Sequence, residues 1–322
     1  MTGAFSADDY RYMAQALRLA AKGRYTARPN PVVGCVLVRD GAVIGEGWHA
    51  RAGEAHAEVV ALEAAGDARG ATAYVTLEPC AHQGRTPPCT DALIAAGVTN
   101  VVAAMRDPNP HVDGGGLGRL EAAGMSVRVG LMEAAAARLN RGFVSRVTRS
   151  RPFVRMKVAA SLDGATAMRD GESQWITGPA ARADVQRLRA RSGAVLTGIG
   201  TVLADDPSLT VRDTRFTAAG LQPARVIVDS ELRMPISAGM LCLPGQTLIY
   251  CTDDGRRAAL EGALGETGDG ALAHCGTGSF LGHRSGGETR LAGGWGHRLG
   301  DEGSATWLAR RALQATLEVA DG

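Results

Sequence analysis

His56 and Glu58 stand two residues apart in "EAHAEVVALE" (54–63), and Cys80 and Cys89 bracket the loop of "TLEPCAHQGRTPPC" (76–89). One imidazole and two thiolates form a donor set that zinc prefers in tetrahedral sites, and three protein ligands leave the fourth position for water. A water held there becomes a nucleophile at neutral pH. Glu58 is close enough to reach that water without being needed as a ligand, so it can take a proton and return it to a nitrogen leaving group. Each feature alone has an ordinary explanation. His-Ala-Glu on a helix is usually a solvated face, and two cysteines in an α/β domain are often core residues. The combination, at this separation, favours the metal reading.

Those side chains need a helix and a strand end to hold them. The spacing predicts a helix from about 56 to 65, a strand at 72–77 and a second helix from about 89 to 96. Cys80 and Cys89 thereby fall near a helix start, where the helix dipole favours thiolates. Residues 6–23 carry apolar positions at helical spacing (Tyr10, Met13, Ala14, Leu17, Ala20), and "PVVGCVLVRDGAVIGEGW" (31–48) reads as two strands joined at Asp40-Gly41. A strand at 101–105 and "GMSVRVG" complete a layered α/β domain. "SRVTRSRP" (145–152) is basic and proline-ended, a connector and the expected boundary. A second alternation opens at "FVRMKVAASLDG" and runs through a helix near 179–190 and strands at 194–198, 225–229 and 247–251. After about 262 the texture changes, with 14 glycines between 262 and 303.

At 322 residues the chain has room for two domains. No apolar run approaches the roughly 18 residues of a membrane span. The N-terminus lacks a basic-then-apolar secretory layout, so a cytoplasmic location is expected. A formal net charge of +2 argues against a nucleic-acid surface. Six cysteines without framework spacing are expected to stay reduced. Nearly all positive charge is arginine; Lys22 and Lys157 are the only lysines.

H-x-E followed by P-C and a further cysteine is the signature of zinc-dependent nucleobase deaminases. That signature usually separates its cysteines by two residues, whereas "AHQGRTPP" places eight between Cys80 and Cys89. With "RPNPVVGCVLV" (28–38) and "GWHARAGEAHAE" (47–58), the chain from residue 8 to about 150 closely resembles the deaminase half of the bifunctional riboflavin-biosynthesis deaminase–reductase family. The resemblance implies zinc-dependent hydrolytic removal of the 2-amino group from a diaminopyrimidinone carrying a ribosylamino 5-phosphate. It implies His56, Cys80 and Cys89 as metal ligands and Glu58 as the catalytic proton carrier. It also places Asn30, His49 and His82 along the pyrimidine pocket, with Arg85 helping to shape it.

"RPFVRMKVAASLDGATAMRDGESQWITG" (151–178) and "LTGIGTVLADDPSLTVR" (196–212) resemble the family's reductase half, whose fold is similar to dihydrofolate reductase. In that half NADPH reduces the ribose of the deaminated product. The resemblance assigns Ala159, Trp175, Thr201, Asp205 and Ser230 to the nicotinamide nucleotide. Lys157, Ser173, Arg189, Leu209 and Arg212 fall to the phosphorylated substrate. The likeness ends near 262, so the expected organisation is a cytidine-deaminase-like three-layer domain (1–148), a dihydrofolate-reductase-like domain that stops early (149–262) and a glycine-rich tail (263–322). "CGTGSFLGH" (275–283) and residues 292–322 resemble a fragment of the glucosamine-kinase and BadF/BadG-type ATPase group.

The resulting expectations are zinc and NADPH as cofactors, a small phosphorylated pyrimidine as substrate, no nucleic-acid or membrane partner, and a homo-oligomer left open. The reductase sheet is expected to lack strands beyond Cys251, leaving an unpaired edge and impaired reduction. Two other readings remain: a nucleic-acid base deaminase, and a phosphosugar-binding protein with an ATP-binding tail.

Overall fold

The computed structural model describes residues 4–82, 87–109, 112, 114–217 and 220–251, together with the backbone of three strands between 270 and 293. The chain divides into two compact units, Met1–Phe153 and Val154–Gly322.

In the first unit α1 (Ala7–Ala20) starts at Ser6, whose side chain accepts from the Asp9 N–H while Asp9 returns the bond to the Ser6 N–H. β1 (Gly34–Arg39) and β2 (Ala42–Trp48) form the expected hairpin, with Asp40 and Gly41 both at positive φ. α2 (Ala57–Ala65), β3 (Thr72–Val75), α3 (Cys89–Ala95), β4 (Asn100–Ala103), α4 (Gly115–Ala122) and β5 (Ser126–Val129) follow, then α5 (Glu133–Leu139) and α6 (Arg141–Arg149). The sheet order is β2-β1-β3-β4-β5. β1 is antiparallel to β2 and β3, while β3, β4 and β5 run parallel.

Strand alternation divides the apolar side chains between two faces. Val36, Val38, Tyr74 and Val102 pack with Tyr12, Met13 and Ala16 of α1 and with Ala136 of α5. Cys35, Leu37, Ala73, Val75 and Val101 pack with Ala57, Ala61, Leu93 and Leu120 on the other side. Three layers result. Small residues fix the height of α2: a Cβ on Gly45 or Gly47 would lie 2.2 Å from the carbonyl oxygen of Ala61 or Ala57. Helix backbone rests directly on strand backbone there, and this sets where His56 and Glu58 emerge.

The segment expected as a connector, 145–152, is instead helical through Arg149. Phe143 and Val144 pack against the α1-side core and Ser145 is buried, so tertiary contact carries the helix past the basic residues.

In the second unit α7 (Pro179–Ala190), β6 (Ala194–Gly198), α8 (Ile199–Asp205), β7 (Ala224–Val228) and β8 (Thr247–Cys251) lie close to their expected positions. Two expectations fail. "FVRMKVAASLDG" forms no strand, and Val154, Met156, Val158 and Leu162 are exposed. Alternation makes a strand only where a neighbour completes the hydrogen bonds, and none does so here among the described residues. Conversely, the sheet does not stop at Cys251. β9 (Gly270–His274) pairs parallel with β8, and β10 (Phe280–Ser285) and β11 (Glu288–Gly293) extend it, giving the order β11-β10-β9-β8-β7-β6. Ladder bonds use main-chain groups that every non-proline residue offers, so glycine-rich sequence did not preclude them. Most of "CGTGSFLGH" and nearly all of 292–322 lie outside the described residues.

Candidate metal centre and active site

His56 is the residue immediately before α2, in an extended conformation (φ −75°, ψ 162°). Cys80 follows β3 after "TLEP", and Cys89 is the first residue of α3. The three elements converge. His56 Nδ1 lies 3.1 Å from Cys89 Sγ and 3.6 Å from Cys80 Sγ, and the three ligand atoms all fall within 4.8 Å of one another. Ligands about 2.0–2.3 Å from a tetrahedral ion are separated by roughly 3.5 Å, so the set fits zinc without rearrangement.

The chemistry of the donors agrees. Hydrogen bonding from Cys89 and from His56 outweighs burial and draws the Cys80 thiol down to about 4, while Cys89 is pushed up by the same shared bond. One thiolate is thus already favoured. The Cys89 N–H, 3.4 Å from Cys80 Sγ, adds a donor to it. Glu58 is 3% exposed at the foot of the site, and burial pushes its carboxyl up to about 7. A carboxyl in that range can both accept and donate a proton near neutrality.

Behind His56, the His49 ring is 2% exposed and stands edge-on, with ring centroids 5.3 Å apart. Burial lowers its pKa, so it is held neutral. Its Nδ1–H donates to the Ala55 carbonyl oxygen (3.2 Å), which leaves Nε2 to accept from Asn30 Nδ2 at 3.1 Å. Asn30 and His49 are therefore brought together beside the metal ligands. His82 is exposed at the start of the cysteine loop, and Arg85 lies outside the described residues.

Two residues not singled out from sequence also sit here. Glu78, 3% exposed, accepts the N–H groups of Asp107, Gly114, Gly116 and Leu117 at 3.0–3.3 Å. Asp107, whose carboxyl burial raises, feels the charges of Glu78, His82 and Cys80. The available signal was position: Glu78 and Asp107 follow the carboxyl ends of parallel strands β3 and β4, where α/β sheets place their ligands.

In the second unit Arg189, Leu209 and Arg212 come near one another. Arg189 donates to the Thr210 carbonyl oxygen (3.0 Å), and its pKa is lowered by burial and then by the Arg212 charge. Arg212 donates to Ser208 Oγ at 2.6 Å, and Leu209 is buried at φ 51°. Ser230 follows β7 and is half-buried. Lys157, Ser173 and Trp175 are exposed on the irregular stretch before α7, and Ala159 is half-buried there. Thr201 and Asp205 are exposed on α8. No described hydrogen bond or ring contact joins Ala159, Trp175, Thr201 and Asp205 to one another.

The first unit matches the model of the cytidine and deoxycytidylate deaminase zinc-binding region over residues 6–105, and residues 152–261 match the RibD C-terminal domain. Among curated proteins, the riboflavin biosynthesis protein RibD of Escherichia coli is 55% identical over 260 residues, 78% of this chain and 71% of that protein. Its Haemophilus influenzae counterpart is 56% identical over 71% of this chain, which spans 64% of that protein. Among solved structures, RibD of Acinetobacter baumannii is similar at TM-score 0.71 and 44% identity, covering 84% of this chain and 87% of its own. A diaminohydroxyphosphoribosylaminopyrimidine deaminase/5-amino-6-(5-phosphoribosylamino)uracil reductase of Thermotoga maritima is similar at TM-score 0.72 and 33% identity, covering 83% and 86%. Neither family model passes residue 261, and the kinase-like reading of the tail gains no support from these relatives.

Proposed function

The chain belongs to the RibD family of riboflavin-biosynthesis deaminase–reductases, and from that premise we propose that its first domain, residues 1–148, deaminates a phosphoribosylamino-diaminopyrimidinone at the His56–Glu58–Cys80–Cys89 site. The observation that carries this reading is the convergence of one imidazole and two thiol sulfurs, with a buried carboxylate two residues from the imidazole.

When bound, zinc acidifies a water and so supplies the nucleophile for the carbon that bears the amino group. The protein's own residues do the rest. Glu58 takes one proton from the water and delivers it to the ring nitrogen, then takes the proton that remains on the added hydroxyl and delivers it to the amino group, which leaves as ammonia, the two uses its raised pKa permits. His49, neutral and hydrogen-bonded on both nitrogens, holds the Asn30 amide in one orientation against the pyrimidine edge. By the family resemblance His82 lines the pyrimidine pocket with Asn30 and His49, and Arg85, outside the described residues, helps to shape it.

Residues 149–262 are the NADPH-dependent half by family resemblance, which assigns Lys157, Ser173, Arg189, Leu209 and Arg212 to the phosphorylated substrate; of these, Arg189, Leu209 and Arg212 lie near one another. The same resemblance assigns Ala159, Trp175, Thr201, Asp205 and Ser230 to the nicotinamide nucleotide. The protein works in the cytoplasm, in keeping with free thiols at Cys35, Cys80, Cys89, Cys242 and Cys251 and with no described helix long and apolar enough to cross a membrane. A homo-oligomer is compatible with this reading. The deciding experiment supplies the diaminopyrimidinone ribosylamino 5-phosphate and follows ammonia release. Turnover on cytidine or on RNA adenosine, with none on this substrate, overturns the assignment.

A further inference from the structure

The segment that carries Asn30 is tied down almost residue by residue. The Asn30 side chain meets His49, the Val33 carbonyl accepts the His49 N–H at 3.0 Å, and Gly34 N–H donates to Thr76 Oγ1 at 3.1 Å. Val32, between them, is held from elsewhere. Its N–H donates to Asn140 Oδ1 at 2.8 Å, and its carbonyl accepts from Asn140 Nδ2 at 3.0 Å. One amide therefore satisfies both main-chain groups of a buried residue 108 positions away. Asn140 is itself 5% exposed and fixed at the junction of α5 and α6: its N–H reaches the Ala136 carbonyl (3.2 Å) and its carbonyl takes the Val144 N–H (2.9 Å). Only a side chain with a donor and an acceptor side by side can close this pair.

We propose that Asn140 is a positioning residue of the deaminase site, holding Asn30 against His49 by clamping the backbone of Val32. Asn140 lies beyond the matched zinc-binding region, which ends at residue 105, so the helices that close the first unit help build its active site. Without the amide, two buried main-chain groups lose their partners and the Pro29–Val32 loop is free to leave His49. The metal ligands, carried by α2, β3 and α3, do not depend on it. The inference rests on the reading of Asn30 as a substrate contact.

The test is a double-mutant cycle in the full chain, because coupled residues are non-additive and independent ones are not. Asn30→Ala is expected to lower kcat/KM for ammonia release about tenfold or more, the loss of one oriented hydrogen bond. Asn140→Ala is expected to lower it by a similar factor, mainly through KM, yet by less than about twofold when added to Asn30→Ala. Zinc stays at about one per chain, and amide exchange quickens in the peptide spanning 28–34. Asn140→Asp guards against a folding defect: it keeps the acceptor for the Val32 N–H but sets a carboxylate against the Val32 carbonyl, and should show the same non-additivity. Equal losses in both backgrounds, loss of zinc, or wild-type kinetics in Asn140→Ala overturn the proposal while leaving Asn30 as a contact. A silent Asn30→Ala overturns both readings.

Discussion

Glu78 and Gly116 meet behind the cysteine loop: the carboxylate takes the Gly116 N–H at 3.0 Å, and a Cβ on Gly116 would lie 1.9 Å from the Pro79 carbonyl oxygen. The start of α4 is thus pressed onto the peptide that leads into Cys80, and Glu78 holds it there through the N–H groups of Gly114, Gly116 and Leu117, with that of Asp107 in the preceding loop as a fourth donor.

Gly116→Ala should therefore cost stability by about 1–3 kcal/mol, the range for overpacking, and should weaken zinc retention by displacing Pro79 and Cys80. Glu78→Gln turns an NH2 group toward N–H donors and should cost about 1–3 kcal/mol as well. Chemical denaturation read beside zinc content checks both. Unchanged stability in Gly116→Ala would mean that α4 can retreat without cost.

Purified protein should contain about one zinc per chain, and Cys80→Ser should lose it because a neutral hydroxyl is a poor ligand for zinc. Elemental analysis after exhaustive dialysis is the measurement. Full occupancy in both Cys80→Ser and Cys89→Ser excludes the His56–Cys80–Cys89 site.

Glu58→Gln keeps the shape of the side chain but not its proton transfer. Zinc content should stay near wild type while deamination falls by roughly 10²–10⁴-fold or more. A variant that deaminates at the wild-type rate would require another proton carrier in the site.

The first unit was readable because its signals are local. Asp40-Gly41 marks the hairpin, and the offset from His56 to Glu58 together with the strand before Cys80 places the donors. Asn140 and Glu78 were not readable, since each acts on main chain 108 or 29–39 residues away and leaves no periodicity. The α6 helix was missed because basic residues hide the contacts of Phe143 and Val144. In the second unit sequence alternation misled in both directions. Residues 153–160 alternate well but find no strand partner among the described residues, while residues 270–293 alternate poorly and pair through main chain.

Asp9 and Arg128 give a pH dependence that sequence did not announce. Arg128 forks onto the carboxylate at 2.9 and 3.1 Å, and Tyr74 Oη donates to it at 2.7 Å. Burial alone would raise the Asp9 carboxyl, but these bonds and those from Ser6 outweigh it and hold the group at about 2, against an ordinary 3.8. A depressed carboxyl stabilises fully above its unfolded value and loses that contribution as pH falls through its folded value. The window is therefore from about pH 4 down to about pH 2, and the loss is roughly 2 kcal/mol. Acid unfolding of Asp9→Asn should lack this component. Parallel stability curves for the two proteins across that window would show the pair to be silent.

The last expectation separates the two halves. Asp9, Asn140 and the metal donors all lie within residues 1–153, so a chain ending after Phe153 should fold, bind zinc and release ammonia. In the second unit Arg189 and Arg212, the proposed phosphate contacts, lie near one another, but Lys157, Ser173 and Trp175 stand exposed on an irregular segment. Val154, Met156 and Val158 beside them find no sheet. β9 does cover the edge of β8, so an open edge at Cys251 is not the obstacle; the unassembled motif at 153–178 is. Ammonia release without matching NADPH oxidation is the expected result when the full chain is given the deaminase substrate. NADPH oxidation at the rate of ammonia release would show that residues 153–178 fold into the site when cofactor binds.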